Sequence, residues 1–242
     1  MSSEVSTGAG RKPRGRVERR QAILDGAFTV FARRGYAQAC VQEIAQEAGV
    51  AKPTVYNHLD DKEALFREAV LAAADRLSEA GLAAVEGLRG LPEDGDPRPA
   101  LVGAGHALLE VHGSEEASAV RRLTSAQAAQ FPDVAAGVRD RTALRVRAAL
   151  ADRLARLALT GRLRPCDPEQ AAEHLLALLT GPLDYRSDTP APDLRALAEA
   201  AVDVFLRAYG GDPARRPEPV PGVEFGGQTT QNSFPSGSAI TT

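Results

Sequence analysis

Three residues between positions 40 and 62 sit where an isolated protein has little use for them. Cys40, Lys52 and Lys62 stand at the starts of what read as three successive short helices. A helix start exposes unpaired backbone N–H groups and carries roughly half a positive charge. It therefore favours Ser, Thr, Asp or Asn as its cap and acidic residues in its first turn. A lysine there costs about 0.3–1 kcal/mol, and cysteine is a poor cap. An anion seated on these helix starts would relieve all three misfits, and a nucleic-acid phosphate is such an anion. Water, or the neighbouring Asp60 and Asp61, could solvate any one of them alone; three in one short stretch point to phosphate. Residues between them suit base edges. The amides of Gln42 and Asn57 can each pair bidentately with adenine, and the methyls of Val41 and Thr54 can meet a thymine methyl.

The elements that must position these side chains follow from hydrophobic spacing. Ile23, Ala27, Val30 and Phe31 give one apolar face to a helix over 17–34, and Gly35 stops it. A short helix over 41–48 turns inward Val41, Ile44, Ala45 and Ala48; Gly49 makes the turn and Val50 closes the small core. Pro53 opens a third helix over 53–59, at a first-turn position where its missing N–H does no harm. Asp60 reads as the cap of a fourth helix, with Glu63 three residues on in a capping-box arrangement. The stripe Phe66, Val70, Ala74 and Leu77 carries that helix toward Leu88. Beyond a Pro-, Gly- and Asp-rich loop at 92–99, helices are expected near 100–112, 115–129, 133–159, 168–179 and 192–209. The chain is thus expected to be all-α, with about nine helices. Two short helices joined by a turn containing Gly fit a helix-turn-helix over 40–59, whose second helix lies in a major groove.

Charge sharpens that expectation. The chain carries 29 basic and 32 acidic residues, a net −3, which by itself gives no reason to expect nucleic acid. From Arg11 to His58, however, nine basic residues face four acidic ones, so this segment carries +5 and the remainder −8. Such asymmetry marks a polyanion-binding end or a basic, solvated one. Residues 1–16 read as a disordered basic arm, in which Arg14 and Arg16 could reach a minor groove or simply add nonspecific attraction. Residues 211–242, rich in Pro, Gly, Ser and Thr, read as a disordered tail. No apolar run is long enough to cross a membrane and no secretory signal is evident, so a cytoplasmic location is expected. Cys40 and Cys166 fit neither a disulfide scaffold nor a metal site. No cofactor is expected, and no nucleophile–base arrangement or phosphate-binding loop points to an enzyme.

The run Ile44-Ala45, Ala48-Gly49-Val50, Thr54-Val55-Tyr56 and Lys62-Glu63-Ala64-Leu65 resembles the DNA-binding domain of the TetR family. The resemblance covers roughly 17–70. It implies that Val41 and Gln42 reach the groove or backbone, and that Lys52, Pro53, Thr54 and Asn57 face bases and phosphates. It further implies phosphate contacts from Tyr56 and His58, and a backbone clamp from Lys62. The sequence departs from the family at Cys40, usually Ser or Thr, and at Leu59, often aromatic.

The resemblance also implies two domains, a reader over 17–77 and a helical effector-binding and dimerisation domain over 78–210. Within the latter, Phe131-Pro132-Asp133, 161–164 and 167–172 resemble AcrR- and AefR-like members. The last two helices resemble the family's four-helix dimer seam, with Leu175, Leu179, Leu197, Ala201 and Phe205 as its core; alternatively they close the protomer's own core. The implied partners are a palindromic double-stranded DNA operator, a second copy of the chain and an unidentified, largely apolar small molecule. No ligand-binding residue is assigned: Arg121, Gln127, Asp184 and Tyr185 could line a pocket, but ordinary surface roles are favoured for them. A ligand-responsive repressor is the reading favoured over an activator, an effector-independent regulator, or a helical carrier or enzyme.

Overall fold

The computed structural model describes residues 13–89, 95–184 and 193–211. Their helices are α1 (Pro13–Gln38), α2 (Val41–Glu47), α3 (Lys52–Tyr56), α4 (Lys62–Glu86), α5 (Arg98–Gly113), α6 (Glu115–Ala126), α7 (Pro132–Arg139), α8 (Arg145–Leu159), α9 (Pro168–Asp184) and α10 (Leu194–Tyr209). A π-helical turn, Asp140–Leu144, joins α7 to α8 without a break. These two therefore form the one long rod expected over 133–159. Among the described residues the only strand-like pairing is an isolated bridge between Leu163 and Gly210, and the architecture is all-α. No described helix is long and apolar enough to cross a membrane.

The amino-terminal head is α1 to α3 with the first half of α4. Ile23, Ala27, Val30 and Phe31 of α1 are fully buried against Ile44, Ala45, Val55, Leu65 and Phe66. Of the expected basic arm, residues 13–16 are helical, so Arg14 and Arg16 extend α1, and proline suits a helix's first turn; residues 1–12, like 212–242 of the expected tail, lie outside the described residues. Gly35 interrupts α1 with φ 76°. α4 is capped by Asp61, whose carboxylate accepts the Ala64 N–H at 2.7 Å, so the cap lies one residue later than expected and Glu63 is not its box partner. The third helix ends at Tyr56, and Leu59 lies in the following turn, buried all the same.

The body has its own core, contributed by α5, α8, α9, α10 and the end of α4. Here the expected dimer seam is corrected. Leu175, Leu179, Ala201 and Phe205 are 6% exposed or less, inside this protomer's core, and Leu197 is half-buried against it. The apolar stripes of α9 and α10 face α5 and α8, so the strongest hydrophobic face closes the monomer. Bidentate bonds from Arg98 to Asp203 at 2.7 and 3.1 Å tie α5 to α10.

Head and body are not separated at residue 77. α4 runs through both cores, and Ala119, Val120, Leu123, Phe131 and Val134 of the body complete the head's core. At that junction four rings meet. Phe31 and Phe66 are 5.2 Å apart edge-to-face, Tyr36 and Phe66 5.0 Å, Tyr36 and Phe131 5.1 Å, and Phe66 and Phe131 5.0 Å. Arg67 of α4 lies over Phe131 at 4.7 Å and ion-pairs with Asp133, whose carboxyl it holds below the usual range. Phe131→Ala should destabilise the protein by about 3–5 kcal/mol, as large aromatic truncations in cores do. Guanidinium denaturation of the two proteins measures it; a loss under 1 kcal/mol would mean the junction is not part of the core.

Candidate nucleic-acid interface and adjoining cavity

The interface starts from the turn between α2 and α3. Gly49 adopts φ 64°, the left-handed region that glycine enters at little cost, and the Val50 N–H returns to the Ala45 carbonyl at 2.9 Å. Gly26 of α1 lets that turn sit close: a Cβ there would lie 2.9 Å from the Ala48 nitrogen. With Val55 and Leu59 buried beneath, α3 is held with its other face outward. On that outer surface Gln42, Lys52, Pro53, Tyr56 and Asn57 are exposed, Tyr56 by 46%, while Val41, Thr54 and His58 are half-buried. These residues are thus brought onto two adjoining short helices and the turn that follows the second, which holds Asn57 and His58. The N-terminus of α3 has Ala51 as its cap residue and no side-chain acceptor.

Two of the three helix-start misfits are resolved within the chain. The Cys40 thiol caps α2 after all, accepting the Glu43 N–H at 3.4 Å, a length that the large sulfur permits. Lys62 turns inward: it donates to the Ala37 carbonyl at 3.2 Å and lies 4.7 Å from the centre of the Tyr36 ring. It thereby fastens the segment after Gly35 to the start of α4. Lys52 keeps its charge outward, with no ion-pair partner among the described residues.

Three of the nine basic residues between Arg11 and His58 pair with acidic side chains. Arg33 pairs with Glu43 at 3.1 Å and with Glu47 at 3.2 Å, Arg34 pairs with Glu43 at 3.2 Å, and Arg20 pairs with Glu68. Arg34, and after it Arg33, holds the Glu43 carboxyl below its ordinary value. Exposed Arg16 and Arg19 have no acidic partner among the described residues; the side chain of Arg14 lies outside them. Arg19 was missed as a candidate because the sequence places it inside the first helix.

Below the head, the body encloses a cavity of about 340 Å³. Its wall is mostly aliphatic, including Leu77, Leu108, Val120, Val138, Val146 and Leu176. Polar atoms come from His112, Arg121, Thr142 and Thr180. Arg121, named as a possible lining residue, is there and Gln127 is not, while the Asp184 side chain and Tyr185 lie outside the described residues. α6 forms a wall shared by cavity and head. Its Ala117, Val120 and Arg121 line the cavity, while on its head side Arg122 donates to the Ala32 carbonyl of α1 at 3.0 Å. Arg76 of α4 bonds both Asp25 of α1 at 2.9 Å and Glu116 of α6 at 2.6 Å. Among the described residues no group of His, Cys, Asp and Glu could hold a metal ion.

Comparison with known proteins matches both parts. Residues 23–69 fit the model of bacterial regulatory proteins of the tetR family, and residues 99–211 that of the AefR-like transcriptional repressor C-terminal domain. The transcriptional repressor Rv1474c of Mycobacterium tuberculosis is 31% identical over 199 residues, 81% of this chain and 86% of that protein. The repressor AcnR of Corynebacterium efficiens is 39% identical over 94 residues, 37% of this chain and 47% of that protein, so the match spans about half of that relative. A solved TetR-family transcriptional regulator of Mesorhizobium loti superposes with a TM-score of 0.73 at 27% identity, covering 84% of this chain and all of the other.

Lys52→Ala should lower the salt dependence of duplex binding by about one phosphate contact per head. Tyr56→Phe should cost about 0.5–1.5 kcal/mol per head by loss of one hydrogen bond. Mobility-shift titrations at several salt concentrations measure both. Unchanged affinity and slope in both variants would remove these residues from the interface.

Proposed function

The chain belongs to the TetR family of bacterial transcriptional regulators, and we propose that it is a dimeric repressor whose grip on a near-palindromic operator loosens when a small molecule enters the body. The observation that carries this reading is the shared wall: one helix, α6, lines a cavity on one side and packs on the DNA-reading head on the other. In the complex α3 lies in the major groove. Thr54 and Asn57, with Gln42 from α2, meet base edges, and Lys52, Tyr56 and His58 meet phosphates. Lys62 holds the head's frame with one donor and turns its others toward the backbone. Two heads reading successive major grooves stand about 34–36 Å apart.

Dimerisation falls to the outward faces of α9 and α10, since their inward faces close the monomer. α10 presents Ala196, Ala200, Val204 and Ala208 at every fourth position, all exposed, with Val204 at 45%; α9 adds exposed Ala177. Small residues of this kind allow two helix pairs to approach closely. A ligand that shifts α6 or α4 acts on the head through Arg76, which bonds α1 and α6 at once. A change in head separation need alter operator affinity by only about 1–3 kcal/mol to give such a response.

Selection of genomic fragments by the purified protein tests the reading. It should enrich a small set of sites sharing an inverted repeat, and failure to enrich any fragment at low salt would overturn it. Val204→Arg should shift the protein from dimer to monomer in sedimentation velocity and weaken operator binding by at least about tenfold, as loss of a linked second site does. An unchanged dimer would place the seam elsewhere.

A further inference from the structure

We propose that the body cavity takes an aliphatic monocarboxylic acid, its chain buried among the aliphatic side chains and its carboxylate held at the rim by Arg121. This rests on reading the body as a ligand-binding domain, and it adds the chemical class of the ligand. Size and lining define the buried part. At the roughly 30 Å³ that a water molecule occupies in the liquid, 340 Å³ holds on the order of a dozen non-hydrogen atoms. Apart from the His112 imidazole the described wall contains no aromatic ring to stack on a flat ligand; Leu, Val and Ala side chains dominate it. An alkyl or alicyclic body fits such a wall through dispersion and loss of water contact.

The polar atoms then fix which end goes where. Thr142 donates its hydroxyl proton to the Val138 carbonyl at 2.8 Å, and Thr180 donates to the Leu176 carbonyl at 3.1 Å. With its proton committed in this way, neither hydroxyl is free to donate to a carboxylate. Arg121 is the opposite. One terminal nitrogen donates to the His112 carbonyl at 2.9 Å and the other to the Ser118 hydroxyl at 3.3 Å, which fixes the guanidinium at the cavity's edge. Five N–H donors are available on a guanidinium, so those two bonds leave others open, and among the described residues no carboxylate pairs with it. A permanent cation at the mouth of an aliphatic cavity selects an anion with an apolar tail. A single positive charge matches a monoanion better than a phosphate monoester, which carries nearly −2 at neutral pH.

The test is calorimetric titration of the full chain with decanoate, methyl decanoate, decan-1-ol and decyl phosphate, repeated with Arg121→Gln and Arg121→Lys. Decanoate should bind roughly tenfold tighter than the ester or alcohol, the modest end of a charge-assisted bond because Arg121 is solvent-exposed. Arg121→Gln should abolish that preference without changing ester binding, and Arg121→Lys should retain part of it. Unchanged ester binding also shows that the Arg121→Gln cavity is folded. Equal binding of acid and ester, an acid preference that survives in Arg121→Gln, tighter binding of decyl phosphate, or no binding by any straight-chain acid of six to fourteen carbons would overturn the proposal. Operator release, followed by mobility shift in parallel, separates the two readings. Acid-selective binding that leaves the operator bound upholds the ligand class and counts against the regulatory reading; release by acid and ester alike overturns the class and leaves the regulator standing.

Discussion

The orientation of the reading head depends on the meeting of four rings, Phe31, Tyr36, Phe66 and Phe131, where α1, α4 and the α6–α7 corner converge. Phe31 and Tyr36 come from the head's first helix, Phe66 from the helix that crosses both cores, and Phe131 from the body. Close-packed rings resist sliding because edge-to-face contacts have preferred geometries and interiors hold few voids. Two cations clamp the cluster from outside, Lys62 over Tyr36 and Arg67 over Phe131. A head fixed in this way transmits movement of the body as a rigid piece.

That rigidity explains why the body's cavity can matter to the outer surface of α3. The groove between head and body is crossed by polar ties, Arg76 to Asp25 and Glu116 and Arg122 to Ala32, which can break and re-form at small cost because most are half in water. At the aromatic junction, in contrast, Phe31, Phe66 and Phe131 are buried and Tyr36 alone is half-buried. A ligand that displaces α6 therefore meets a stiff pivot and a row of exchangeable bonds beside it. This arrangement favours rotation of the head about the ring cluster over its detachment. A ligand filling the cavity would press on the head directly, since side chains such as Val120 of α6 line the cavity and also belong to the head's core.

Much of this was legible in the sequence, and the limits have physical causes. The helix-turn-helix could be read because its signals are local: the spacing of Ile44, Ala45, Val50 and Val55, glycine at a positive-φ turn, proline in a first turn. Cap assignment slipped by one residue because Asp60 and Asp61 are chemically identical candidates and only the backbone decides between them. Cys40 was read as a poor cap although its large sulfur reaches the Glu43 N–H, and the internal contacts of Lys62 were missed because they are set by tertiary approach; nothing near Lys62 in the sequence announces the Ala37 carbonyl or the Tyr36 ring. The α9–α10 faces failed for a related reason. A hydrophobic stripe shows that a helix buries a face but not whether its cover belongs to the same chain, and here α5 and α8 supply the cover for Leu175, Leu179, Ala201 and Phe205. The cavity was illegible because its wall is gathered from five separate helical segments, none with a motif of its own.

Charge gives the last constraint on how such a protein can act. The head's surplus of five positive charges between Arg11 and His58 already counts Glu43 and Glu47, which pair with Arg33 and Arg34; beyond that segment Glu68 pairs with Arg20. Among the described residues of the head, Arg16, Arg19, Lys52 and Lys62 have no acidic partner, and the whole chain carries −3. In the proposed dimer two such heads would engage one duplex together, where the second contact is intramolecular and its strength depends on whether the spacing fits. On that reading a displacement too small to disturb either reading surface would still separate the pair from its sites.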